Sequence, residues 1–107
     1  MAGVNRFMVP PSPGALVICV SGTRTVVDPA QVAQIAGELN QLKRLRSPHI
    51  FACPADFGPT FALFFDYSDG TRLLVQVDSS GCRFATNGRR TGVADTGLLR
   101  DLHRLVA

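Results

Sequence analysis

No stretch of this 107-residue chain reaches the ~18 consecutive apolar residues that a membrane-spanning helix needs, so no transmembrane segment is expected. There is no C-x-x-C or H-x-x-x-H pair, no Walker loop and no G-x-G-x-x-G. The usual structural-zinc and phosphate-cradling patterns are therefore missing, and neither a metal nor a cofactor is expected. Asp66, Asp69 and Asp78 lack EF-hand spacing, and the last two read as ordinary turn acids. No long repeat suggests a solenoid. Charge of one sign is scarce as well: 11 Lys+Arg against 8 Asp+Glu leaves +3, well short of a basic stripe, so nucleic acid is not an expected partner. The opening MAGVNRFMVPPSPGA has one arginine, no apolar core and prolines at 10, 11 and 13, so it does not read as a signal peptide, and the expectation is either a cytoplasmic protein or a mature domain of a longer exported precursor. This opening reads as an extended Pro-rich tail over 1–14, ahead of a single α+β domain over 15–107.

What is present suits one small domain, burying roughly two-thirds of its unfolded surface. Ala15 to Val20 is a β-branched run stopped by Ser21-Gly22-Thr23, and Thr25 to Val27 continues extended, giving a hairpin or one bulged strand. Asp28-Pro29-Ala30-Gln31 is a helix start: an acid to accept from an early backbone N–H, a proline suited to the first helical position, and a capping-box-like glutamine. Val32, Ile35, Ala36, Leu39, Leu42 and Leu45 recur at helical spacing, predicting one long helix that Ser47-Pro48 ends. Lys43, Arg44 and Arg46 then fall in its last turn, where cations complement the dipole. A proline-punctuated loop follows over 47–59.

Phe61, Leu63, Phe65 and Tyr67 alternate, and so do Leu73, Val75 and Val77 beyond Ser68-Asp69-Gly70. Both sets reach one core only if Gly70 is left-handed in a bulged turn, pairing Phe65 with Leu73 and Leu63 with Val75. Phe64 and Leu74 then share the other face, which predicts that this face too is partly covered, by the tail or by a partner. A third strand is expected over Cys82 to Thr86, with Cys82 near Val77 and Phe84 near Val75, completing a three-stranded antiparallel meander. Residues 87–92 read as a polar loop. A last helix, capped by Asp95 or Thr96, carries Leu98, Leu99, Leu102, Leu105 and Val106. The fold expected is α+β: the meander, an N-terminal strand or hairpin, and two helices packed on the sheet.

Three cysteines dominate the chemistry. Cys53 precedes the first meander strand and Cys82 opens the third, so the sheet can bring them together as a disulfide. Across their 29-residue separation the bond would contribute roughly 3 kcal/mol on the chain-entropy model. Cys19, inside an apolar strand, is expected to be a buried free thiol. The sharper alternative is a cysteine-dependent enzyme using Cys53, with His49 and Asp56 in the same loop. It ranks lower, because short proline-stiffened loops rarely assemble such triads, and no catalytic residue is assigned. A zinc site from His49, Cys53 and Cys82 falls one ligand short of a closed structural site. Arg83, Asn87, Arg89 and Arg90 form the densest polar cluster and are the anion-binding candidates, because guanidinium forks suit phosphate and carboxylate. A solvated loop explains the same residues. Phe57 and Phe61 read as core before partner-binding aromatics.

Taken together, DPAQVAQIAGELN, CPADFGPTFALFFDYSDG and VQVDSSGCRFATNGRR resemble a small domain of exported and lipoprotein-like actinobacterial proteins, in which C-P-x-D-x-G precedes an aromatic hairpin and a later Gly-Cys. The resemblance spans roughly residues 15 to 90 and its second cysteine falls on Cys82. It implies an extracytoplasmic, disulfide-containing module and no reaction mechanism. The chain departs from it in having no export signal and in carrying Cys19. The leading expectation is thus a non-enzymatic extracytoplasmic binding or structural module, with a cell-envelope protein or an anionic ligand as partner. Its working surface is the Arg83 to Arg90 loop or the Phe64/Leu74 face. The second class is an intracellular binder of nucleic acid or anionic ligands through the arginines.

Overall fold

The structure, a computed structural model, describes residues 3, 4, 6–45 and 58–106. It is α+β, with an antiparallel sheet and two helices. In chain order the elements are β1 (Ala15–Cys19), β2 (Thr23–Val26), α1 (Pro29–Asn40), β3 (Arg44–Leu45), β4 (Thr60–Asp66), β5 (Arg72–Asp78), β6 (Phe84–Thr86), β7 (Thr91–Val93) and α2 (Thr96–Val106). The seven strands lie in the order β2-β1-β4-β5-β6-β7-β3.

Alternation sets the sheet's two faces. Phe61, Leu63 and Phe65 on β4 and Val75 and Val77 on β5 are fully buried, and Leu16 and Ile18 on β1 join them. Each such side chain contributes about 1.5–3 kcal/mol by leaving water. The pairing is Leu16↔Phe65↔Leu73 and Ile18↔Leu63↔Val75, which is the register expected of the bulged turn. Gly70 takes φ +88, and its N–H donates to the Tyr67 carbonyl. Both helices cover this one face: Val32, Ile35 and Leu39 of α1 and Leu98 and Leu102 of α2 belong to the same core. Asp28 caps α1 by accepting from the Ala30 N–H at 3.0 Å, and Asp95 caps α2 by accepting from the Leu98 N–H at 2.8 Å.

Four expectations are corrected. The first helix stops at Asn40, and Arg44–Leu45 instead pairs with β7. Leu42 is drawn to the sheet edge, where a Cβ on Gly92 would meet the Leu42 Cβ and the Lys43 carbonyl at 3.1 Å. A side chain at Gly92 would push this tight contact apart by a few tenths of an ångström. Lys43 and Arg44 therefore complement no helix terminus, and Arg46 lies outside the described residues. The third strand begins at Phe84, leaving Cys82 in a turn, and Ala85 rather than Phe84 is the core residue, opposite Val77. The segment expected as a polar loop supplies β7, which pairs with both β6 and β3. Finally, the N-terminal segment is no free tail, because Met8 and Val9 are 4% and 1% exposed and sit in the core.

Candidate functional site

The expected arginine cluster divides. Asn87 is taken up by the fold: its Oδ1 accepts from the Arg89 and Arg90 N–H groups at 2.8 and 2.7 Å. Its Nδ2 donates toward the carbonyls of Met8, Val4 and Phe7 at 3.0, 3.2 and 3.3 Å. Arg89 is exposed at the hairpin tip. Arg90 borders a crevice with Arg44, Met8 and Leu42, whereas Arg83 faces a shallow groove with Lys43, Asp95 and Thr96. Arg83 itself takes φ +53, held by its N–H to the Ser80 carbonyl and by its carbonyl accepting from Ala94. The sheet edge thus spreads Lys43, Arg44, Arg83, Arg89 and Arg90 over one end without converging them on a point. Such spread cations suit an extended anionic surface better than one small anion.

Among the described residues, no helix covers the opposite sheet face. Cross-strand neighbours Val17, Phe64 and Leu74 run across β1, β4 and β5, with Leu74 39% exposed. Arg72 lies with its guanidinium 5.3 Å from the Phe64 ring centroid and bonds Asp66 at 2.6 Å. That contact holds the Asp66 carboxyl below the usual range. The positions of β4 and β5 on this face are half-buried or exposed throughout, and the N-terminal segment packs on the helix side instead. Cys19 is a free, half-buried thiol on this same face, 3.8 Å from the Thr23 hydroxyl, so the expectation of a buried thiol is corrected.

A carboxyl pair that sequence reasoning missed joins the helices. Asp101 of α2 is 3% exposed and accepts from Gln34 Nε2 at 3.2 Å and Arg104 Nη2 at 3.0 Å, with Arg100 at 3.7 Å. Glu38 of α1 hydrogen-bonds it, and the second Glu38 oxygen is buried with no partner among the described residues. Burial, then the bond and charge of Asp101, push Glu38 up to about 7, while that same bond lowers Asp101. Asp101 falls at helical spacing between Leu98 and Leu102/Leu105, so its place on the buried face was legible in the pattern. The pair lies between packed helices, where it shapes stability, and Asp101 also lines a small crevice with Gln31, Gln34 and Arg104.

Cys53, His49, Asp56 and Phe57 lie outside the described residues. Among the described residues, no group of three or more His, Cys, Asp or Glu is placed to hold a metal, and no helix is long and apolar enough to cross a membrane. Compared with protein-family models, curated proteins and solved structures, the chain matches none.

Proposed function

We propose that this chain is a non-enzymatic binding module of an exported, envelope-associated protein, docking a protein partner on the open face of its β4-β5-β6 meander. One observation carries the reading. Both helices cover one side of the sheet, while the other side keeps Val17, Phe64 and Leu74 in line at its centre, ringed by Thr23, Thr25, Thr60 and Gln76. An apolar centre inside a polar rim is the anatomy of a protein contact. The strongly shifted acids lie at the junction of the two helices, with Asp101 at the edge of a small crevice beside Gln31, Gln34 and Arg104.

The exported character rests on the resemblance and on the cysteines. Cys19 is a free thiol, and the reading pairs the other two cysteines of the chain, Cys53 and Cys82. A Cys53–Cys82 bond fits an oxidising compartment. Leu74→Arg with Phe64→Ser tests the docking face: the double variant stays folded and loses cross-linking to envelope proteins in the native cell. Unchanged cross-linking by the folded variant would sink the proposal.

A second reading is favoured by the cationic edge: binding of a polyanion through Lys43, Arg44, Arg83, Arg89 and Arg90. It predicts a steep loss of polyanion affinity with salt. A flat salt dependence leaves the sheet face as the working surface.

A further inference from the structure

Residues 8–10 are held by the rest of the chain as a bound peptide would be. Met8, Val9 and Pro10 are buried. The Asn40 side chain clamps Val9 through both backbone groups, accepting from its N–H at 2.8 Å and donating to its carbonyl at 2.9 Å. Tyr67 donates its hydroxyl to the Pro10 carbonyl at 2.7 Å, and burial pushes that hydroxyl up to about 12, so it remains a donor. Asn87 adds its amide to the carbonyls of Val4, Phe7 and Met8. These three side chains come from the end of α1, the β4–β5 turn and the β6–β7 loop, and each grips backbone. Together they form a receptor for a bent segment whose two apolar side chains fill the pocket and whose proline follows.

The connector to β1 differs in kind. Pro11 and Ser12 are exposed, and Gly14 is already bonded to the Asp66 carbonyl. Ser12 takes φ +66, a left-handed conformation that costs a serine free energy and that a following proline disfavours further. The closed chain therefore carries strain in the hinge. A second copy offers the same segment to the same groove, so exchange preserves every contact and releases both hinges.

We propose that the groove between Asn40, Tyr67 and Asn87 also receives residues 7–10 of a second copy of this chain, forming a reciprocal strap-exchanged dimer. The proposal stands apart from the sheet-face reading, since the groove lies on the helix side. Domain exchange of this kind is a low-cost route to a dimer where a hinge is strained.

The test uses the full chain, concentrated to the millimolar range, warmed to near its unfolding midpoint, cooled, and sized by chromatography with light scattering. A dimer that survives dilution is expected. Ser12→Gly relieves the closed hinge and lowers the association constant by about tenfold per hinge. Removing Ser12 and Pro13 leaves too little chain to return and shifts the protein to dimer. Leu74→Arg leaves the dimer unchanged, which separates it from pairing through the sheet face. A chain that stays monomeric after this treatment, or a dimer abolished by Leu74→Arg and indifferent to Ser12→Gly, overturns the proposal. If the shortened chain does not fold, the comparison of Ser12→Gly with the parent chain decides.

Discussion

The Glu38 carboxyl of α1 hydrogen-bonds the Asp101 carboxylate of α2 inside the helix interface, so the two acids can coexist there only while one of them keeps a proton. Glu38 keeps it: Asp101 has Gln34 and Arg104 to stabilise its charge, and the buried Glu38 oxygen has no such partner among the described residues.

The sign of the resulting pH dependence follows from linkage. Glu38 is raised from 4.5 to about 7 on folding, so its contribution is complete below about 4.5, declines as pH rises, and is lost above about 7. Asp101 is lowered, so its contribution is present above 3.8 and fades in stronger acid. In urea titrations the parent chain loses stability between these two Glu38 values, and Glu38→Gln, which donates to Asp101 at any pH, flattens that interval. An equal slope in both proteins would refute the shared proton.

Met8→Ala separates a packed strap from a free tail. A buried methionine truncated to alanine costs about 2 kcal/mol or more, whereas a solvated tail residue costs nothing measurable. Chemical denaturation reads the difference directly.

Asn87→Ala removes the amide that serves the strap carbonyls and the carbonyl that serves Arg89 and Arg90. A loss of roughly 2 kcal/mol is expected from groups left unsatisfied. Hydrogen exchange should quicken at Arg90 and Val9 before the β4–β5 amides; uniform exchange across the chain would mean that the strap has no separate anchorage.

Leu74→Lys alters stability by no more than about 0.5 kcal/mol because the side chain is already exposed, while Leu63→Ala, two strand positions from Phe61 in the core, costs about 2–5 kcal/mol. Thermal unfolding of both variants checks which face of the sheet is core.

Reduction tests the proposed Cys53–Cys82 staple. Intact mass after alkylation without reductant should show one blocked thiol, Cys19, and reductant should cost roughly 3 kcal/mol. Three alkylated thiols in protein recovered from an oxidising compartment would remove the staple, and rapid stoichiometric labelling of Cys53 near neutral pH would move the reading toward a cysteine enzyme.

Much of the architecture is local in origin and could be read directly. Asp28-Pro29 starts α1 because capping needs only neighbouring residues, and the left-handed Gly70 sets the β4–β5 register because a one-residue slip would expose every core side chain. Leu98, Leu99 and Leu102 mark the buried face of α2 for the same reason. The candidate site was less legible. Arg83, Asn87, Arg89 and Arg90 are close in sequence, yet Asn87 is spent on the strap and Arg83 faces a different groove from Arg90.

The sequence by itself determined where helices begin, which residues alternate into the core and how the central hairpin turns, because those are set by backbone preferences and periodicity over a few residues. Only the tertiary structure decided that α1 ends at Asn40, that Arg44–Leu45 and Thr91–Val93 pair at the sheet edge, and that Met8 and Val9 enter the core. Leu42 continues the helical stripe of the sequence, yet in the fold it packs closely on Gly92, some fifty residues downstream, a contact that local pattern does not reveal. Asn40 likewise signals nothing until Val9 lies beside it, because a side-chain amide has no assignment before its partner is in place.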